Sequence, residues 1–335
     1  MKVDIIIKSF NRAFYLDKVL FSIEKFVSGY NNIFILDDGT PDIYLSRIEE
    51  KYPFVKIIKS DNHLEKSEKI FSGQEIDGYK IPSNLWIDSV KKATEYVLVI
   101  EDDVWFTDSI DLSEISAEMI ANEVHLAKIG WQSNDGFLYN FEQNQISKNL
   151  IAQSTEKLFT ANRFLMKYVL SNKFKIFSLL CRLRLTNNQT INEYYNFLSI
   201  LMGLYRKDFW LYTWQDSLGR VNERDLLKNS TAWYHKYKTN KSLITRTSRE
   251  YLKTTYISSA TNSYHKYKIN FDVLKFNSTL NNLWLNNQLN TKENFPNDYS
   301  RKYLSSFLET ENERKIFYQW SDQFLKSFGK DPSLY

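Results

Sequence analysis

The sequence predicts an α/β protein whose largely parallel sheet is covered by helices on both faces. Short apolar strands alternate with amphipathic helices along the first hundred residues, a rhythm that is typical of parallel sheets. Polar clusters follow directly after three of these strands. Because ligands bind beyond the carboxyl ends of such strands, we expect one functional site at this edge.

The individual elements follow from local patterns. Residues 3–7 are an apolar, β-branched run, and residues 12–26 carry apolar side chains at helical spacing. The same criteria predict a strand at 32–36, a helix at 43–51, a strand at 55–58, a helix at 85–93 and a strand at 96–100. From about Phe137 the pattern changes, and we expect helices through much of 146–205 and again at 303–328.

Three consecutive acids, Glu101, Asp102 and Asp103, directly follow a predicted buried strand. Mutual repulsion and desolvation make such a run costly unless a cation compensates it. Mg²⁺ and Mn²⁺ prefer carboxylate oxygens and often carry substrate phosphates. If side chains alternate along the run as they do in a strand, Asp102 points to the side opposite Glu101 and Asp103. A solvated acidic loop is the alternative, but Asp37 and Asp38 end another strand in the same way, which favours a shared site.

Four motifs, at residues 5–12, 35–42, 81–86 and 99–103, resemble those of family 2-type, nucleotide-sugar-dependent glycosyltransferases. The resemblance implies the GT-A fold, a Rossmann-like, mixed, mostly parallel sheet flanked by helices, here with a helical C-terminal acceptor-side extension. Two positions depart from the family pattern: the acidic run begins with Glu101 rather than Asp, and Lys8 stands where Pro is commoner.

The resemblance also implies roles for the acidic residues. Asp103 is expected to be the principal ligand of Mn²⁺ or Mg²⁺, with Glu101 contacting the ribose or the metal through water. The metal would neutralise the diphosphate leaving group. Asp38 is expected to accept a hydrogen bond from the base, which suits a uracil or guanine ring N–H and therefore a UDP- or GDP-sugar. Asp37 is expected to orient its loop, and Asp102 belongs to the donor-binding set.

Five further residues belong to the set expected to bind the donor. Ser9 and Arg12 lie on the loop expected to approach the nucleotide, and Asn11 is expected to shape the turn between them. Lys80 and Asn84 are candidates for sugar or phosphate contacts, although for Lys80 an ordinary surface role is the commoner case.

The catalytic base must come from later in the chain, and the resemblance implies a further metal ligand there. Asp216 and Glu223 are the candidates for the base that deprotonates the acceptor hydroxyl, with a helix beginning near Asn222 as the alternative role for Glu223. A late histidine often completes the metal shell in GT-A enzymes. His265 is preferred over His235 because it follows a small polar segment suited to a loop, although a structural or exposed histidine is commoner.

Composition narrows the class of protein. The chain has 335 residues, one cysteine and a net charge of +4, so we expect no internal disulfide and no nucleic-acid partner. There is no signal-peptide pattern and no apolar run of about 20 residues, the length that spans a bilayer. We therefore expect a cytoplasmic protein with three units: a nucleotide-sugar-binding core at 1–135, an acceptor-side region at 136–270 and a helical extension at 271–335.

Residues 164–185 combine apolar, aromatic and basic side chains at helical spacing. Soluble helical lobes commonly show this pattern, so we expect the segment to bury its apolar face within the protein or in a dimer contact. A peripheral contact with the inner face of a membrane is the alternative.

These features and the resemblance together favour a metal-dependent glycosyltransferase, and the resemblance alone implies that it is inverting. Its acceptor would be a glycan or a lipid-linked glycan, in the synthesis of bacterial surface polysaccharide. One alternative is a sugar nucleotidyltransferase, although residues 8–12 lack the glycines of a phosphate loop. The other is a non-catalytic scaffold at a membrane surface, against which the intact acidic run argues.

Overall fold

The computed structural model describes residues 2–77, 80–131, 141–155, 162–187, 190–198, 202–262 and 264–335, without the side chains at 191, 192, 264 and 265. Its centre is a mixed β-sheet. The strands are β1 (Val3–Ser9), β2 (Val27–Ser28), β3 (Tyr30–Asp37), β4 (Val55–Lys59), β5 (Tyr96–Glu101), β6 (Val104–Phe106), β7 (Ile110–Asp111), β8 (Leu126–Lys128), β9 (Glu142–Gln145), β10 (Leu150–Ser154), β11 (Gly203–Arg206), β12 (Ile244–Thr247) and β13 (Leu252–Thr254).

Nine of these strands form the main sheet, in the order β4-β3-β1-β5-β11-β8-β12-β10-β9. The first four are mutually parallel, whereas β11 runs antiparallel to both of its neighbours. Strand β12 is parallel to β8, and β10 is antiparallel to β12 and β9. Short two-stranded ladders join β13 to β6 and β2 to β7. The predicted fold class, an α/β protein with a mixed sheet flanked by helices, is confirmed; four of the eight strand pairings described in the main sheet are parallel.

Helices connect these strands and extend beyond them. They are α1 (Ala13–Phe26), α2 (Asp42–Lys51), α3 (His63–Phe71), α4 (Ser83–Lys92), α5 (Leu112–Ala121), α6 (Arg163–Leu170), α7 (Ile176–Arg182), α8 (Thr190–Leu198), α9 (Lys207–Trp214), α10 (Glu223–Lys236), α11 (Tyr264–Tyr267), α12 (Val273–Leu285), α13 (Arg301–Ser305) and α14 (Glu311–Ser327). In the described part of the chain, none of them combines the length and the apolar character that crossing a membrane requires.

At its centre the sheet is buried on both faces. On β1, Ile5 and Ile7 belong to the core that includes α1 and the C-terminal helices, whereas Ile6 faces the opposite core with Trp86 and Trp210. Successive strand residues point to opposite faces, so an unbroken apolar run is what a doubly covered strand requires.

All seven elements predicted in the first hundred residues are present, with ends that differ by at most two residues. The helix α3 was not predicted. The expectation of helices through 146–205 was wrong in part, because β10 and β11 lie there and pair with strands distant in sequence. The predicted C-terminal helix is divided into α13 and α14, the latter begun by a capping box between Thr310 and Glu313.

The main sheet bears on the predicted division into three units. Strands from both sides of residue 135 belong to this one sheet. The predicted boundary at 135/136 falls outside the described residues, and the division at 1–135, 136–270 and 271–335 stays a prediction.

Candidate active site

Three parallel strands bring the predicted polar clusters to one edge of the sheet. In the register of the sheet, Ser9 is paired with Asp37, and Lys8 is paired with Glu101. The loops that follow β1, β3 and β5 therefore lie side by side. They border an open pocket with an empty volume of about 570 Å³, lined by Lys8, Ser9, Phe10, Arg12, Asp38, Lys66, Ile81, Pro82, Trp86, Glu101, Ala260 and Thr261.

Arg12 holds two members of the acidic run. Its guanidinium is buried and donates to Asp102 Oδ1 at 2.5 Å and to Asp103 Oδ2 at 2.7 Å. The second oxygen of Asp102 accepts from the backbone N–H of Phe10 at 2.8 Å. The predicted alternation is wrong for these two acids, because the strand ends at Glu101 and both side chains reach the same guanidinium.

The charges in this cluster perturb one another. Burial raises the pKa of Asp102 to about 7, although Arg12 acts in the opposite direction. Burial also raises the pKa of Asp103, again against the effect of Arg12. For Arg12 itself, burial lowers the pKa, but Asp102, Asp103 and Glu101 raise it above its ordinary value.

Glu101 and Lys8 form the next ion pair of the pocket. Lys8 Nζ donates to Glu101 Oε1 at 2.7 Å, and the same ammonium lies 4.8 Å from the ring centroid of Trp86. Lys8 is buried, whereas the Glu101 side chain is 38% exposed. The carboxylate of Glu101 therefore faces the open side of the site while its partner lies beneath it.

Two donors hold Asp38: Ser60, directly after β4, and Lys66, in α3. Ser60 Oγ donates to its Oδ1 at 2.6 Å, and Lys66 Nζ donates to its Oδ2. Lys66 also donates to the backbone oxygen of Lys80 at 2.6 Å, which connects the segment ahead of α4 to α3. Burial raises the pKa of Asp38, and the hydrogen bonds from Lys66 and Ser60 lower it in part.

Asp37 and Asn11 organise the backbone behind the pocket. Asp37 accepts from the N–H groups of Gly39 and Thr40 and from the Thr40 hydroxyl. That hydroxyl oxygen accepts in turn from the backbone N–H of Asn11 at 2.8 Å, which joins the first loop to the second. Asn11 has a left-handed φ of 49°, a conformation that asparagine tolerates better than most residues, and its side-chain oxygen accepts from Asn281.

The acidic run offers limited room for a metal ion. Asp103 Oδ1 is buried and accepts no hydrogen bond from the described residues, and Glu101 has a second carboxylate oxygen. No three of the described His, Cys, Asp and Glu side chains come together as a metal site, however, and Arg12 and Lys8 already compensate the acids. The free oxygens of Glu101 and Asp103 would supply at most two carboxylate ligands to Mg²⁺ or Mn²⁺, so substrate phosphates and water would have to complete the shell.

The remaining candidates for donor contacts lie at different depths. Ser9 lines the pocket, and its buried hydroxyl has no hydrogen-bond partner among the described residues. Asn84 is exposed on the first turn of α4 and does not line the pocket. The Lys80 side chain is exposed and donates to Asn62 Oδ1 at 3.2 Å.

Both candidates for the base lie outside the pocket lining. Asp216 follows α9 and accepts from Arg163 and from Asn229, whereas Glu223 accepts from the Tyr195 hydroxyl at 2.7 Å. Glu223 is the first residue of α10, whose N-cap is Asn222 as predicted. The hydrogen bonds from Arg163 and Asn229 hold the pKa of Asp216 below its ordinary value, against the effect of burial.

The side chain of His265 lies outside the described part of the structure, so its metal-ligand role stays a prediction. Its backbone belongs to α11, and two residues just ahead of that helix, Ala260 and Thr261, line the pocket. Sequence reasoning missed these two residues and also Lys66 and Ser60. The small polar segment before His265 was the one available signal for the first pair.

No protein-family model matches the chain, and no curated protein sequence matches it. Among solved structures, the chain is similar to S. aureus TarS 1–349 in complex with UDP-GlcNAc, at 14% identity and a TM-score of 0.44, over 98% of this chain and 81% of that one. It is also similar to glucosyl-3-phosphoglycerate synthase from Mycobacterium tuberculosis in complex with Mn²⁺, UDP and glucosyl-3-phosphoglycerate, at 9% identity and a TM-score of 0.37, over 86% and 81% of the two chains. At these identities and scores the similarity assigns neither an activity nor a ligand to this chain.

Proposed function

We propose that the protein is a glycosyltransferase that moves a sugar from a nucleotide-diphosphate donor to an acceptor hydroxyl. The observation that carries the proposal is the pocket at the carboxyl ends of β1, β3 and β5, which combines carboxylates, cations and aromatic rings. In open α/β sheets this edge is where ligands bind. The sequence resemblance described above supports the same activity.

The surroundings of Asp38 support recognition of a uracil or guanine base. Each of its oxygens accepts one hydrogen bond, from Ser60 or Lys66, and each retains a lone pair for a ring N–H of the base. The rings of Phe10 and Trp86 line the same pocket and provide surfaces on which a base can stack. We therefore propose a UDP- or GDP-sugar as the donor.

Glu101, which lines the pocket, and Asp103, two residues further along the acidic run, would hold the Mn²⁺ or Mg²⁺ ion. When bound, such an ion acts as a Lewis acid toward the diphosphate leaving group. The chain's own contribution is orientation: Arg12 fixes one oxygen of Asp103 and leaves the other unpaired, and Lys8 fixes one oxygen of Glu101.

The catalytic base and the chemical class of the acceptor are proposed from the sequence. Inverting transfer requires one carboxylate that removes the proton of the attacking hydroxyl, and Asp216 and Glu223 stay the candidates. We propose a glycan or a lipid-linked glycan as the acceptor, a role in bacterial surface polysaccharide synthesis, and a location in the cytoplasm.

The test is donor binding and turnover with and without Mn²⁺. We expect UDP- or GDP-sugars to bind more tightly with Mn²⁺ and to release nucleoside diphosphate. Asp38→Asn should weaken donor binding at least about tenfold, as expected when a hydrogen bond to a charged group is lost. Asp42→Asn is the matched control, since Asp42 follows on the same turn with a side chain that is 63% exposed.

Three outcomes would contradict the proposal. One is a failure of every nucleotide sugar to bind, and another is equal binding by the two variants. The third is formation of nucleoside triphosphate from nucleotide sugar and inorganic diphosphate, which would instead identify a sugar nucleotidyltransferase.

A further inference from the structure

The segment 163–185 exposes an unusual amount of apolar surface. Six large apolar side chains within it are each at least 45% exposed: Phe164, Leu165, Phe174, Leu179, Leu183 and Leu185. Every residue of α7 is described, and none of them is buried. The expectation that this segment buries its apolar face within the protein is therefore wrong for these side chains. Large exposed apolar surfaces commonly mark sites of interaction.

One face of α6 explains how the segment is attached to the protein. Met166, Val169 and Leu170 are buried, and the helix packs against α10. The opposite face carries an aromatic cluster in which Tyr168 contacts both Phe164 and Phe174, at centroid distances of 4.5 and 5.9 Å. The segment is thus anchored along one side and presents its other side to the outside.

The charge of this surface has a single sign. Between residues 163 and 192 the sequence contains six Lys and Arg residues and no Asp or Glu. Four of these bases, Lys173, Lys175, Arg182 and Arg184, are exposed among the apolar side chains. Arg163, at the base of the surface, donates instead to Asp216.

We propose that residues 163–185 form a surface that binds an anionic lipid bilayer. Exposed apolar and aromatic side chains insert at the boundary between headgroups and acyl chains, and interleaved bases pair with anionic headgroups. A protein partner fits less well, because lysine is depleted in the cores of protein interfaces. The hydrogen bond from Arg163 to Asp216 places this surface beside the candidate acceptor side of the protein.

This proposal goes beyond glycosyl transfer and can be tested without it. Full-length protein is sedimented with vesicles of phosphatidylcholine, with and without phosphatidylglycerol, in the absence of any donor. We expect binding to the anionic vesicles only. Phe174→Glu should abolish it, whereas Phe71→Glu should bind as the wild type does, since the two phenylalanines are 79% and 78% exposed.

A second pair of variants tests the charge. Lys173→Gln/Lys175→Gln should weaken binding to anionic vesicles by about fivefold for each base removed. The control Lys91→Gln/Lys92→Gln removes two exposed bases at the end of α4 and should leave binding unchanged. Circular dichroism of each variant reports whether it is folded, and UDP binding, measured in parallel, tests the proposed donor site separately.

Several results would overturn the proposal. They are a wild type that does not bind anionic vesicles, a control variant that loses binding as fully as Phe174→Glu does, and equal binding to neutral vesicles. The proposal also fails if light scattering shows a dimer that Phe174→Glu dissociates while no vesicle binding occurs. That result would assign the surface to a second copy of the chain.

Discussion

Asp102 and Asp103 are adjacent in sequence, but their contacts predict opposite consequences of the same substitution. Asp102 is 1% exposed and uses both oxygens, one for Arg12 and the other for the N–H of Phe10. Asp103 uses only one oxygen, toward Arg12, while the other is buried without a partner among the described residues. An asparagine has one acceptor oxygen, so it can replace the contacts of Asp103 but not those of Asp102.

The magnitudes follow from these contacts. Asp102→Asn leaves one buried donor facing an amide NH₂, while Arg12 stays paired with Asp103. The unsatisfied donor should lower the free energy of unfolding by about 2–3 kcal/mol. Asp103→Asn keeps an oxygen for Arg12, which also remains paired with Asp102, and should cost only about 1 kcal/mol. For the metal-dependent binding of a nucleotide sugar we expect the reverse order, with the greater loss in Asp103→Asn.

Urea unfolding followed by tryptophan fluorescence measures the first quantity, and calorimetric titration of UDP with Mn²⁺ measures the second. The reasoning is refuted if the two variants lose equal stability, or if Asp103→Asn is the less stable. It is also refuted if Asp103→Asn binds nucleotide and metal as the wild type does. Circular dichroism of each variant before titration confirms that binding is compared between folded proteins.

Two further predictions concern buried groups at and beyond the pocket. Burial, together with Arg206, lowers the pKa of His125 to about 4, so stability should fall by up to about 3 kcal/mol as the pH decreases from about 6.5 to 4. His125→Gln keeps an acceptor for the indole N–H of Trp233 and should flatten this pH dependence of urea unfolding; an unchanged slope would contradict the assignment. Gly39→Ala should destabilise the protein and weaken UDP binding, because φ is +139° and the new Cβ would lie 2.5 Å from Lys66 Cβ. Gly73→Ala, with φ +71° and no atom within 4 Å of its Cβ, should show only the destabilisation.

The strands of the core were predictable because their signal is local. An unbroken apolar run such as that of β5 predicts a strand buried on both faces, without knowledge of its neighbours in the sheet. The helix α3 escaped detection because its buried face is largely polar, with His63, Lys66 and Ser67 beside Ile70, while Leu64 is exposed. Apolar periodicity carries no information about such a helix.

The charge partners of the acidic run were not predictable for a different reason. A run of three carboxylates does indicate that a cation is needed, but not which cation. In the structure Arg12 is the cation that pairs with Asp102 and Asp103, which lie 90 and 91 positions away in sequence. Lys8 is the cation that pairs with Glu101. Lys66, which pairs with Asp38, belongs to the helix that the apolar pattern did not reveal. The local sequence does not show which side chains the register of the parallel strands brings together.

The charges around the pocket relate these pairs to the proposed function. Four carboxylates (Asp38, Glu101, Asp102 and Asp103) pair with three cations (Lys8, Arg12 and Lys66), so these seven side chains carry a net charge of −1 when all are ionised. A nucleoside diphosphate adds further negative charge, which is unfavourable at a partly buried site unless a cation accompanies it. We therefore expect the donor and a divalent ion to bind together, each raising the affinity of the other by the same factor. In the proposed function, Lys8, Arg12 and Lys66 compensate most of the carboxylate charge, and a divalent ion would compensate the additional charge of the donor.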